Sequence, residues 1–230
     1  MEERPALDRA VAEIGGYPEA IATLSQADLS VLREQYFEVV DWHIDRKPGT
    51  VLVDKLPLNI IHMALIVRLF PHARIILAMR HPCDVVLSNF MQMFQLNNAM
   101  GIFCSVEQAT KFYDRVMGGL HSAEMLPLNF HLSRYEDLVQ DVEGAARSLL
   151  KFLNVEWNDA VLNHTAHARQ RGRINTPSYS QVTEPIYQRA RFRWLRYEPQ
   201  LRGVLDELEP YAVAFGYPRL AESLGEQGAV

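Results

Sequence analysis

Apolar positions between residues 6 and 40 recur at helical spacing. Ser25 followed by Asp28 has the form of a capping box, and Leu29, Leu32, Tyr36 and Val40 then fall on one helical stripe. The segment "DRKPGT" (45–50) interrupts the pattern and predicts a loop. "TVLVD" (50–54) is short, apolar and β-branched, which predicts a buried strand. "LNIIHMALIVRLF" (58–70) returns to helical spacing, with Asn59 as its N-cap and Pro71 as its stop. "ARIILAM" (73–79) reads as a second buried strand. Pro82 suits the first turn of a following helix, where its missing N–H costs nothing, and Asp84 suits the positive end of that helix. Ser105 and Gln108 repeat the capping-box spacing before "ATKFYDRVMGGL" (109–120). "NFHLSRY" (129–135) alternates as a third strand, and "VEGAARSLLKFL" (142–153) is an amphipathic helix. The chain turns basic and polar from about 165 to 197, and "RGVLDELEPYAVAFGY" (202–217) predicts a closing helix broken near Pro210.

Strands separated by helices predict an α/β layered fold with a parallel sheet. The length, 230 residues with 48% hydrophobic content, suits one domain over 1–230, and no repeat, low-complexity tract or linker divides it. A formal net charge of -5 argues against a broad nucleic-acid surface, although local basic clusters can hold a small anion. Cys83 and Cys104 form neither a disulfide framework nor a metal-ligand pattern and read as free thiols of a reducing compartment. "MEERPALDRA" has no apolar leader core, and "NIIHMALIVRLF" is too short to span a bilayer and carries His62 and Arg68. The expectation is a cytoplasmic protein that engages neither membrane nor nucleic acid.

In open α/β sheets, ligands bind beyond the carboxyl ends of the strands. Lys55, Arg80 and Tyr135 each follow a predicted strand, and a helix starting at Pro82 would aim free N–H groups at the same region. Ser88 lies six residues after Pro82, within reach of the same anion. Taken singly, each has an ordinary reading: a surface ion pair for the arginine, a solvated lysine, a packed tyrosine, a neutral helical serine. Together they read as an anion site at a strand edge. "RINTPSYSQVTEPIYQRARFRW" (173–194) interleaves basic and polar residues with Pro177 and Pro185, either as an ordered loop over a site or as a solvated basic helix. Glu136 and Asp137 read as structural, and the histidines show no metal spacing.

These segments resemble the sulfotransferases that use 3'-phosphoadenosine 5'-phosphosulfate. The nearest pattern is a bacterial branch associated with tetratricopeptide repeats and related to protein-tyrosine sulfotransferases. The resemblance runs from about residue 6 to 218 through "DKLPLN" (54–59), "FPHARIILAMRHPCDVVLSNFMQMF" (70–94), "YEDLV" (135–139), "LLKFLNVEW" (149–157), "TPSYSQVTEPIY" (176–187) and "RWLRYEP" (193–199). It implies a P-loop NTPase-like, three-layer sulfotransferase fold. It further implies that Arg80 and Ser88 bind the 3'-phosphate and that Tyr135 lies beside the adenosine. Lys55 and Ser178 match the residues at the transferred sulfuryl group, Gln181 is the motif companion of Ser178, and Arg193 matches a basic residue near the phosphates. The implied reaction is in-line transfer to an acceptor hydroxyl, leaving adenosine 3',5'-bisphosphate, with stabilisation by preorganised charge and no metal.

One departure changes the picture. The family's phosphosulfate loop, of the type Pro-Arg-Ser-Gly-Thr-Thr, is not found in the sequence, nor is G-x-x-x-x-G-K-[ST], nor the acidic general base that comes shortly after the loop. "ALDRAVAEIGGYPEAIATLS" resembles the family's segment downstream of both, so the chain is expected to begin inside the domain, without the first strand and phosphate loop. Pro177 also stands where the family often has alanine. Losing three charge-assisted hydrogen bonds costs on the order of 5 kcal/mol, and a missing general base costs roughly 10²–10⁴ in rate. Three readings stay open: a sulfotransferase weak or inactive as this chain alone, a nucleotide-binding pseudoenzyme, and a non-enzymatic interaction module on the same scaffold. The acceptor is not legible, and an unpaired sheet edge would favour self-association.

Overall fold

The computed structural model of the chain describes residues 6–92, 100–122, 129–163, 186 and 188–225. It divides into two compact units, Met1–Ala73 with Gly119–Asn129, and Arg74–Gly118 with Phe130–Val230.

The first unit is built on α1 (Ala6–Glu13), α2 (Gln26–Asp41) and α3 (Met63–Leu69). Helix α2 starts at a complete capping box: the Asp28 N–H donates to Ser25 Oγ at 3.2 Å, and the Ser25 N–H donates to Asp28 Oδ2 at 2.9 Å. Its expected stripe is the buried one. Leu29, Leu32, Tyr36 and Val40 pack with Ala6, Leu7 and Ala10 of α1 and with Leu65 and Leu69 of α3. Each large aliphatic side chain so buried contributes about 1.5–3 kcal/mol. The Arg68 guanidinium donates to the carbonyls of Ala22 and Leu24, fastening α3 to the turn before α2.

Two expectations fail in this unit. "TVLVD" forms no strand: Val51 and Val53 are 60% and 58% exposed, while Leu52 packs on the core. β-branched composition only favours a pleated surface, and among the described residues this run has no ladder partner. Asn59 does not cap a helix; it lies inside the 3-10 segment Pro57–His62, and α3 begins only at Met63. Pro57 at the start of that segment sets an early, tighter turn than the apolar spacing suggested. Helix α3 does end before Pro71.

The second unit carries the sheet. β1 (Ile75–Met79) and β2 (Phe130–Arg134) pair in parallel, in register from Ile75↔Phe130 to Met79↔Arg134. A parallel pair requires a long crossover, and it holds α4 (Pro82–Met91) and α5 (Val106–Ser122). After β2 come α6 (Tyr135–Gln140) and α7 (Val142–Leu153), with His131 of β2 stacked on Phe152 of α7. The α/β reading with a parallel sheet therefore holds, but the strands are not fully buried: Ile76, Phe130 and Leu132 are over a third exposed. Ser105 accepts the Gln108 N–H as expected, but its own hydroxyl donates to Glu107. Helix α8 (Leu205–Ala214) runs through Pro210 instead of breaking there. Leu208 and Ala212, on either side of the proline, are both fully buried, and the Tyr211 hydroxyl donates to Asp114, so packing offsets the one missing hydrogen bond. The chain continues into α9 (Leu220–Gly225). Among the described residues, no helix is long and apolar enough to cross a membrane.

Candidate active site

The strand register determines what meets at the carboxyl end of the sheet. Met79 pairs with Arg134, so the next residues, Arg80 and Tyr135, leave the two strands side by side. The Arg80 guanidinium lies over the Tyr135 ring, 5.1 Å from its centroid. Arg80 Nη2 donates to the Ala190 carbonyl and lies 3.5 Å from Asp84 Oδ2. Arg80 Nε is buried and has no partner among the described residues.

Pro82 opens α4 in the first-turn position expected of it, and Asp84 is in that turn. Asp84, Ser88 and Met91 are spaced four and three residues apart, so they share one stripe of α4. Segment 188–194 is fastened beside that corner. The Gln188 amide donates to the Val139 carbonyl, Arg191 donates to Gln140 Oε1, and the Trp194 N–H donates to Asp84 Oδ1 at 2.8 Å. Phe192 adopts a left-handed backbone with φ 47°, a conformation that costs a non-glycine residue energy and is held here by its neighbours. The Arg193 backbone thus sits by Asp84, while its guanidinium reaches Met91 Sδ at 3.2 Å, at the far end of the stripe. Half-buried Ser88 lies between the Arg80 and Arg193 ends of that stripe.

Beneath this surface is a buried aromatic and polar cluster. His81 is fully buried, stacked on Trp194 with centroids 5.1 Å apart and met edge-on by Phe192 and Tyr217. Glu136 accepts the His81 backbone N–H at 3.1 Å and the Tyr217 hydroxyl at 2.7 Å. Arg134 lies over the Tyr217 ring and pairs with Asp137. Burial, helped by the Arg80 charge, lowers the His81 pKa to about 4, so the ring is neutral near neutral pH. Burial raises the Asp84 carboxyl above its ordinary range, opposed by Arg80 and the Trp194 N–H. Burial also pushes the Cys83 thiol up to about 12, which removes it as a nucleophile.

The residues singled out from sequence divide accordingly. Arg80, Tyr135, Ser88 and Arg193 all belong to the second unit and gather around the end of β1 and the stripe of α4. Lys55 belongs to the first unit. It is exposed and follows a segment that forms no strand among the described residues, next to Asp54, which accepts the Tyr36 hydroxyl. Ser178 and Gln181 lie outside the described residues. Sequence reasoning missed the joint roles of His81, Glu136 and Trp194 and gave Asp84 only a helix-end role. The Arg80–Asp84 spacing of four was a usable signal for that pair. The cluster linking His81, Glu136, Trp194 and Tyr217 joins residues 55 to 136 positions apart and leaves no local signature.

Comparison with known proteins bears on what this corner belongs to. The model of a sulfotransferase family matches residues 2–159. A relative from Aquifex aeolicus, known only as an uncharacterized protein, is 29% identical over 197 residues, covering 84% of this chain and 25% of the relative. Protein-tyrosine sulfotransferase 1 of Danio rerio is 27% identical over 159 residues, covering 65% of this chain and 43% of the relative. Protein-tyrosine sulfotransferase of Drosophila melanogaster is 24% identical, covering 82% and 38%. The chain therefore spans less than half the length of these curated relatives. A solved sulfotransferase domain from the curacin biosynthetic pathway aligns with 85% of this chain and 78% of its own, at 17% identity and a TM-score of 0.48. The family match covers β1, α4 and β2, with Arg80 and Tyr135 following the two strands and Ser88 within α4, and it takes in well over half of the 230 residues: the chain belongs to the sulfotransferase family.

Proposed function

We propose that this protein binds 3'-phosphoadenosine 5'-phosphosulfate and takes part in transfer of its sulfuryl group to an acceptor hydroxyl. The observation that carries this reading is the Arg80 corner. There a guanidinium with a buried, unpartnered Nε meets an aromatic ring at adjacent parallel strand ends, with Ser88 on the neighbouring helix. Such a corner suits a ribose-borne phosphate: Arg80 and the Ser88 hydroxyl donate to it, and Tyr135 offers a face beside the base. Arg193 supplies a second positive charge; by resemblance alone, Lys55 and Ser178 are assigned to the transfer end and Gln181, the motif companion of Ser178, to cofactor binding. The cosubstrate supplies the activated sulfuryl group; the protein's own residues bind, orient and offset charge.

A second reading has a specific observation behind it. The sequence contains no phosphosulfate loop of the family type and no matching acidic base. Three lost charge-assisted contacts correspond to about three to four decades in affinity. On this reading the chain by itself binds nucleotide and transfers weakly or not at all. The test is transfer of labelled sulfuryl from 3'-phosphoadenosine 5'-phosphosulfate to a tyrosine peptide, the acceptor class in the Danio rerio relative's name, and to carbohydrate and small-alcohol hydroxyls. Thermal shift with adenosine 3',5'-bisphosphate runs beside it. Transfer supports the enzyme, a shift without transfer supports the binding protein, and a folded protein with no shift at millimolar nucleotide defeats both.

A further inference from the structure

We propose that Asp84 is a positioning residue that orients the Arg80 guanidinium toward a 3'-phosphate; this rests on the nucleotide reading above. The Asp84 side chain is wholly buried, yet it carries a carboxylate beside a helix start. Its two oxygens are differently engaged. Oδ1 accepts the Trp194 N–H, which fixes the plane of the carboxylate against the backbone of segment 188–194. Oδ2 has no hydrogen-bond partner among the described residues and faces Arg80 Nη2 at 3.5 Å. The guanidinium is thereby referenced to a backbone amide through one rigid group. The Tyr135 ring holds its face, the Ala190 carbonyl holds one donor, and Nε is left over.

A long arginine side chain that must meet a phosphate with a defined edge gains from such fixing, because small misplacements of a charged donor cost large factors in binding and rate. At 3.5 Å the ion pair is loose, not a bidentate fork, so Asp84 directs Arg80 without consuming its donors. The opposite role would be a competing anion that weakens the site, and it makes the opposite prediction.

Asp84→Asn separates the two, since the amide oxygen still accepts the Trp194 N–H while the charge facing Arg80 is gone. The probes are adenosine 3',5'-bisphosphate and 5'-AMP, each titrated calorimetrically into wild type, Asp84→Asn, Asp84→Ala, Arg80→Ala and the Arg80→Ala/Asp84→Asn double variant. The expected result is a fall of about tenfold in preference for the 3'-phosphorylated nucleotide in Asp84→Asn, a larger fall in Asp84→Ala, and no further fall when Asp84→Asn is added to Arg80→Ala. A purely structural role lowers both affinities alike and leaves the ratio unmoved; a competing-anion role raises the ratio. Either overturns the proposal, as does a ratio change that survives without Arg80. A ligand-free arm reads the Arg80 Nε–H resonance, assigned by its loss in Arg80→Lys. Its exchange rate and shift should change in Asp84→Asn, and an unchanged signal overturns the proposal whatever the nucleotide data. If wild type binds neither nucleotide, the functional reading fails and the resonance alone decides whether Asp84 holds Arg80.

Discussion

Acidification should loosen the site unit through His81. The ring is fully buried, sandwiched by Trp194, Phe192 and Tyr217, and neither ring nitrogen has a hydrogen-bond partner among the described residues. Its pKa falls to about 4 from 6.5, by burial first and by the Arg80 charge second. Well above pH 6.5 the ring is neutral in both folded and unfolded chains and contributes no pH dependence. As pH falls below that, the unfolded chain takes up a proton and the folded chain does not, so stability is lost progressively until the folded pKa is reached. The full window is worth about 3 kcal/mol, and most of it is gone at about pH 4.5. Asp84, whose pKa is raised, acts in the opposite direction, because a folded chain that binds its proton more readily gains stability on acidification. Single-curve acid titration therefore mixes the two. The informative perturbation is His81→Phe, which keeps an aromatic ring against Trp194 and removes the titration. Urea unfolding of both proteins at about pH 7 and about pH 4.5 gives the comparison, and any constant packing penalty of the larger ring cancels between the two pH values. Wild type should lose about 2–3 kcal/mol more than the variant over that interval. Parallel losses would refute a buried, unprotonated His81.

Two changes test packing and capping. Leu65→Ala, at a fully buried position between α3 and the α1–α2 pair, should cost about 2–5 kcal/mol in urea unfolding, whereas an exposed site would show almost nothing. Gly144→Ala places a Cβ against the Asp141 carboxylate that caps α7. It should cost about 1 kcal/mol in wild type and much less in an Asp141→Ala background, measured as a double-mutant cycle; equal costs in both would show that the cap is not the reason for the glycine.

What could be read from the sequence was what depends on neighbours in the chain. The α2 stripe and its capping box, Pro82 at the start of α4, and the arrival of Arg80 and Tyr135 at strand ends all come from spacings of a few residues. "TVLVD" misled because a strand is a pairing, and composition cannot supply the partner. Pro210 misled because tertiary packing of Leu208 and Ala212 outweighs one lost hydrogen bond. Asp84 was visible only as a helix-end charge; its bond to Trp194 spans 110 positions, and no local rule reports it. For the same reason the Glu136 bridge between His81 and Tyr217 emerges only from the folded chain.

The Arg80 corner is tested most directly by comparing how tightly wild type and Arg80→Ala bind adenosine 3',5'-bisphosphate and 5'-AMP. Loss of one charge-assisted contact, about 1.5–3 kcal/mol, should weaken the bisphosphate about ten- to a hundredfold and leave 5'-AMP nearly unchanged, both measured below the melting temperature of the variant, which loses the charge facing buried Asp84. A wild type that does not distinguish the two nucleotides, or an Arg80→Ala variant that retains the full preference, would contradict the assignment of this corner to a ribose-borne phosphate.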